Sequence, residues 1–244
     1  MDRELKVIMY SFIPATFFVL VMWLVRYMEH LSGYGFDEFG VLPRTLNGLS
    51  GILTSPFIHG DLEHLISNSI PIILLGAALV YFYKELSLKV FLFIFFLSGT
   101  GLWLGGRNVY HIGASGLVYG MAFFLFVSGI LRKDTRLLAI SLLVVFLYGS
   151  MIWGVFPLWK GISWEAHLFG SLAGILSAFL FRSEGPQRPP YTWELEPESD
   201  DVATQEDPVI PGDSTDASRT TDDQVNVNYI YKEKKPPENE PEKD

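Results

Sequence analysis

The 244-residue chain contains no cysteine. That excludes a disulfide scaffold, a thiolate zinc site and a cysteine nucleophile together. Charge is also scarce, at 18% of residues, against about 25% in a soluble domain. Mean hydropathy is +0.27 and 49% of residues are apolar. An ordinary cytosolic globule is therefore not expected.

The charge that is present is unevenly placed. Residues 1–182 hold 12 Lys and Arg against 10 Asp and Glu, a net of +2. Residues 183–244 hold 6 against 17, a net of −11, together with 9 of the 14 prolines. A segment so charged and so poor in apolar periodicity cannot offset its chain entropy by burial. The reading is a membrane domain over 1–182 and a disordered, acidic, water-exposed tail over 183–244. Within the tail, Val225 to Tyr231 alternates apolar and polar residues, which reads first as a chance apolar spot and only second as a strand for the sheet edge of a protein partner.

Long uncharged runs fill the first part: Val7–Val25, Leu65–Tyr83, Val90–Gly106, Ile112–Leu131 and Leu137–Trp159. A sixth, Trp164–Phe181, carries Glu165 and His167 near its start. A bilayer core of ~30 Å is crossed by about 20 apolar residues in a helix, and uniformly apolar runs satisfy their backbone in lipid only as helices. The predicted fold is an all-α membrane protein, a six-transmembrane-helix bundle. Connections between successive spans are short except Arg26–His64, 39 residues long. Arg3, Lys6, Lys84, Lys89, Arg132, Lys133, Arg136, Arg182 and Arg188 fall on one side, and Arg26, Arg44, Arg107 and Lys160 on the other. The basic-side rule then places both termini in the cytoplasm and the long loop outside. Short loops and this orientation favour a bacterial inner membrane.

Polar residues in a span are functional candidates because lipid makes them costly. Span two opens with His59, His64 and Asn68, span four with Gly113-Ala114-Ser115-Gly116, and span six with Ala166-His167 followed by Gly170. All three spans run from outside to inside, so these groups share one depth below one surface. His64 and Asn68, four apart, share a helix face. Gly116 and Gly120 form one small-residue stripe, Gly170 and Gly174 another, and such stripes let membrane helices approach closely. Spans four and six are then expected to bring Ser115 within reach of His167. A serine becomes a strong nucleophile when a neighbouring base takes its proton, and histidine suits that work near neutral pH. His64 and Asn68 would donate to a developing oxyanion. Each residue alone has an ordinary packing explanation; the convergence of three spans does not. Metal is the rival chemistry, but the histidines of His59-Gly-Asp-Leu-Glu-His64 are five apart, not the four of a zinc-binding helix.

The set His59, His64-x-x-x-Asn68, Gly113-Ala-Ser115-Gly116 with Tyr119, and Ala166-His167-x-x-Gly170-x-x-x-Gly174 resembles the rhomboid family of intramembrane serine proteases. The resemblance spans roughly residues 7–182. It implies Ser115 as nucleophile and His167 as general base. His64, Asn68 and the Ser115 N–H would form the oxyanion site. Tyr119 would pack on the His167 ring, His59 would order the first loop, and Gly116, Gly170 and Gly174 would form the close helix crossing. It implies no metal or cofactor, single-span membrane proteins as substrates and membrane lipid as surroundings. No nucleic-acid partner is expected. Many family members carry a Trp-Arg pair in the first outer loop; here there is no tryptophan between Trp23 and Trp103. The competing class is a rhomboid-like binding or quality-control factor without proteolysis, which the presence of both Ser115 and His167 argues against. A transporter would carry its polar groups to the midplane, whereas these stop near one face.

Overall fold

The computed structural model describes residues 2–133, 135–147, 153–158 and 161–185. The chain divides into two units, 1–195 and 196–244, and every described residue lies in the first. The acidic segment, from residue 186 onward and including Val225 to Tyr231, lies outside the described residues.

Regular structure among the described residues is helical: α1 (Arg3–Ser32), a single turn α2 (Gly51–Thr54), α3 (Leu62–Tyr83), α4 (Glu85–Gly105), α5 (Ser115–Arg132), α6 (Thr135–Leu147) and α7 (Trp164–Leu180). Helices α1, α3, α4 and α5 are long and apolar enough to cross a membrane, and α7 is a shorter apolar helix of 17 residues. Side chains such as Phe17, Leu20 and Leu24 stay exposed on α1, as lipid-facing residues would.

Helix ends differ from the apolar runs in ways that local chemistry explains. α1 continues past Val25 to Ser32, where Gly33 turns left-handed and its N–H donates to the Glu29 carbonyl. Arg26 and Glu29 pair one turn apart on this extension, so two charges that seemed to end the span are helical. α3 starts at Leu62 because the Asp61 carboxylate accepts the His64 N–H at 2.7 Å. Lys84–Lys89 is not a six-residue connection: only Lys84, at φ 42°, breaks the helix, and α4 begins at Glu85. α5 begins at Ser115 rather than Ile112. Gly113 holds φ +104° and donates its N–H to the Ser55 carbonyl, which keeps the preceding residues out of the helix. The fifth apolar run is not helical throughout its described residues. Gly154 to Leu158 form turns, with the Phe156 N–H on the Trp153 carbonyl, as Gly154 and Pro157 favour.

The bundle interior is lined by Leu65, Ile72, Leu75, Ile94, Met121, Phe124 and Leu125, all essentially without exposure. Tyr83 crosses it to hydrogen-bond Ser128 at 2.7 Å. Helices α5 and α7 approach closely. A Cβ on Gly170 would lie 2.2 Å from the Gly116 carbonyl oxygen, and one on Gly174 2.1 Å from that of Gly120. Backbone packs directly on backbone there, which glycine allows.

The long first loop is ordered without a Trp-Arg pair. Val41 and His111 exchange two backbone hydrogen bonds of 2.9 Å, an isolated antiparallel bridge. Arg44 donates to the Leu104 and Gly106 carbonyls at the end of α4, and the Trp103 indole donates to Thr45 O. The loop is thereby fastened to α4 and to the chain that leads into Ser115.

Candidate active site

The starts of α3, α5 and α7 meet at one end of the bundle. Ser115 is the first residue of α5, so its N–H has no intrahelical acceptor. Its Oγ stands 2.9 Å from His167 Nε2. His167 Nδ1 lies 2.8 Å from the Gly154 carbonyl oxygen. A carbonyl only accepts, so Nδ1 carries the proton and Nε2 presents its lone pair to the Ser115 hydroxyl. The Tyr119 ring, one turn beyond Ser115 on α5, stacks on the imidazole with centroids 4.1 Å apart and planes 8° apart. His167 is thus held on one face by Tyr119 and at one nitrogen by Gly154.

His64 is half-buried, and its ring lies over Gly113: a Cβ there would meet the imidazole Nε2 at 2.6 Å. Asn68 is buried, and its amide donates one hydrogen to the His64 carbonyl at 3.0 Å. His59 is fully buried in the loop ahead of α3. Its Nε2 accepts the Ala114 N–H at 3.4 Å, and its ring meets the His64 ring edge-on at 4.9 Å. Burial, reinforced by the neighbouring His64, holds the His59 imidazole down to about 3. His59 is therefore neutral, as an acceptor at Nε2 must be. Gly116, Gly170 and Gly174 form the crossing that sets α5 against α7.

Sequence reasoning did not find several partners. The Gly154 carbonyl leaves no side-chain signal, because any residue carries one. Arg107 donates to the buried Glu165 carboxylate through Nε and Nη2, and Nη2 also reaches the Ile162 carbonyl at 3.0 Å. His111 is buried beside this pair, bonded to Ser163 Oγ at 2.6 Å and to the Arg107 carbonyl at 3.0 Å. Glu165, a costly acid at the start of an apolar run, was the available clue. No cluster of three or more potential metal ligands occurs among the described residues.

Long apolar helices packed as a bundle, with a serine and a histidine in hydrogen-bond contact at one end, describe an integral membrane protein. The family model for the rhomboid domain matches residues 47–184. The chain belongs to the rhomboid family, whose members are typically intramembrane serine proteases. It is also similar to the uncharacterized protein Rv1337 of Mycobacterium tuberculosis, 34% identical over 180 residues, covering 70% of this chain and 74% of that protein. Similarity to the uncharacterized protein ML1171 of Mycobacterium leprae is 30% over 181 residues, covering 70% of each.

Proposed function

We propose that this chain is an intramembrane serine endopeptidase that hydrolyses peptide bonds in or near the membrane segment of single-span proteins. The observation that carries the reading is the 2.9 Å contact between Ser115 Oγ and His167 Nε2, with Nδ1 committed to Gly154, in a chain of the rhomboid family. Ser115 Oγ attacks the substrate carbonyl carbon while its proton passes to His167 Nε2. The oxyanion accepts from the Ser115 N–H, from His64 and from the second hydrogen of the Asn68 amide. The imidazolium then protonates the leaving amine as the C–N bond breaks, leaving an ester on Ser115. Water, deprotonated by His167, hydrolyses that ester and restores the serine. A substrate helix must fray first, because its peptide bonds are shielded by its own turns; Gly or Pro near the cleavage point eases this.

Six spans, cytoplasmic termini and a bacterial inner membrane complete the reading. It is supported by the distribution of basic residues and by the mycobacterial relatives. The acidic tail then lies across the membrane from the chemistry, as a regulator or tether for a protein partner.

The test is cleavage of a single-span reporter, together with labelling by a fluorophosphonate. Both should occur in the wild type and disappear in Ser115→Ala and His167→Ala, with expression unchanged. Undiminished cleavage by Ser115→Ala overturns the proposal. Absence of labelling in the wild type would instead support a non-proteolytic binding factor.

A further inference from the structure

Two links join the segment leading into Ser115 to the segment leading into His167. One is the Arg107–Glu165 ion pair, in which the carboxylate is only 2% exposed and receives the guanidinium through two nitrogens and the Arg107 backbone N–H besides. The other is His111 with Ser163. His111 Nε2 faces a carbonyl and so carries its proton, and Nδ1 therefore accepts the Ser163 hydroxyl. Ser163 Oγ in turn accepts the Ala166 N–H and caps α7. His111 lies four residues before Ser115, and Glu165 lies two before His167.

We propose that Arg107, Glu165, His111 and Ser163 form a positioning clamp that sets the Ser115–His167 distance. The inference rests on the assignment of those two as the catalytic pair. The glycine crossing fixes α5 against α7 at Gly116–Gly170 and Gly120–Gly174, on the inner side of the pair. At the outer end, where α7 begins, that crossing reaches only the Ala166 carbonyl, 3.3 Å from a Cβ on Gly116, and supplies no polar link. The clamp closes that outer end. It also joins the first loop to the site, since His111 is the residue that bridges to Val41. No clamp side chain bonds Ser115 or His167, and Ser163 meets His167 only through its backbone carbonyl, which accepts the His167 N–H at 3.4 Å, so these act through backbone placement. Breaking a buried ion pair by removing one partner leaves an uncompensated charge, and Glu165→Gln turns an acceptor oxygen into an NH2 facing the guanidinium. Either change frees the α7 start to move.

A displacement near 1 Å costs about 10²-fold in rate, and a partial shift less. The experiment uses the full-length chain in detergent. It measures the fluorophosphonate labelling rate constant, the end-point labelled fraction, and kcat and KM on the reporter. Glu165→Gln and Arg107→Gln, the latter at a half-exposed side chain, are expected to slow labelling and kcat about tenfold or more. KM should stay within about twofold. The double variant should lose little more than either single one, because both break one link. A rate constant per labelled molecule equal to the wild type's, with only the labelled fraction lowered, would show a purely structural role and overturn the clamp. So would a loss carried by KM. If the wild type itself fails to label, the catalytic assignment falls and the clamp with it; wild-type labelling at a rate that the variants match overturns the clamp alone.

Discussion

Gly170→Ala should disable the site without touching it. The added Cβ would sit 2.2 Å from the Gly116 carbonyl oxygen, 2.9 Å from its carbon and 3.0 Å from its Cα. All three are backbone atoms inside a helix, so no side chain can swing aside. Ordinary contact begins near 3.4 Å, and relief along that vector requires α5 and α7 to part by about 1.2 Å, which is the difference from 2.2 Å. Gly116 adjoins Ser115, and Gly170 follows His167 by one turn. The 2.9 Å contact would stretch to about 4 Å, beyond hydrogen-bond reach. A 1 Å misplacement costs about 10²-fold, and overpacking costs about 1–3 kcal/mol of stability. Gly35→Ala is the control, since its Cβ would meet only an Asp37 carboxylate oxygen at 3.6 Å. The assay is reporter cleavage and fluorophosphonate labelling of each variant in micelles, with thermal midpoints alongside. Gly174→Ala meets a similar clash one turn further away, so it should destabilise as much while slowing the reaction less. Wild-type rate and midpoint in Gly170→Ala would refute the reasoning.

Asn68→Ala should lower kcat by no more than about 10²–10³, with KM nearly unchanged; complete loss would give Asn68 a different role. Stability should fall with acidification, because the unfolded chain protonates His59 near 6.5 while the folded imidazole resists until about 3. Between those values the unfolded state binds more protons, so stability rises with pH. From pH 6.5 to 5 this amounts to at most about 2 kcal/mol, and His111, lowered by burial, acts in the same direction. Thermal midpoints of His59→Gln should therefore depend less on pH across this window than the wild type's; parallel curves would refute the assignment. Removing residues 190–244 should leave cleavage in detergent intact, and a large loss would place the tail in the catalytic process.

The helical membrane character is written in the apolar runs, because only length and hydropathy are needed to make a lipid-crossing helix. The close α5–α7 approach is likewise legible in Gly116, Gly120, Gly170 and Gly174, since a missing side chain is itself the signal. Family membership can be read from spaced residues, because chemistry restricts which types serve. Tertiary structure decided the rest, for reasons that hydropathy cannot express. Lys84 to Lys89 looked like a loop, yet all but Lys84 are helical, because a charge at a helix end can reach water without breaking the helix. The fifth run looked continuous, but its apolar residues from Gly154 to Leu158 turn, and the Gly154 carbonyl so released meets His167 Nδ1. Arg107, His111, Ser163 and Glu165 lie more than 50 residues apart in two pairs. No local pattern announces such pairs, since their partners are chosen only when the helices have packed.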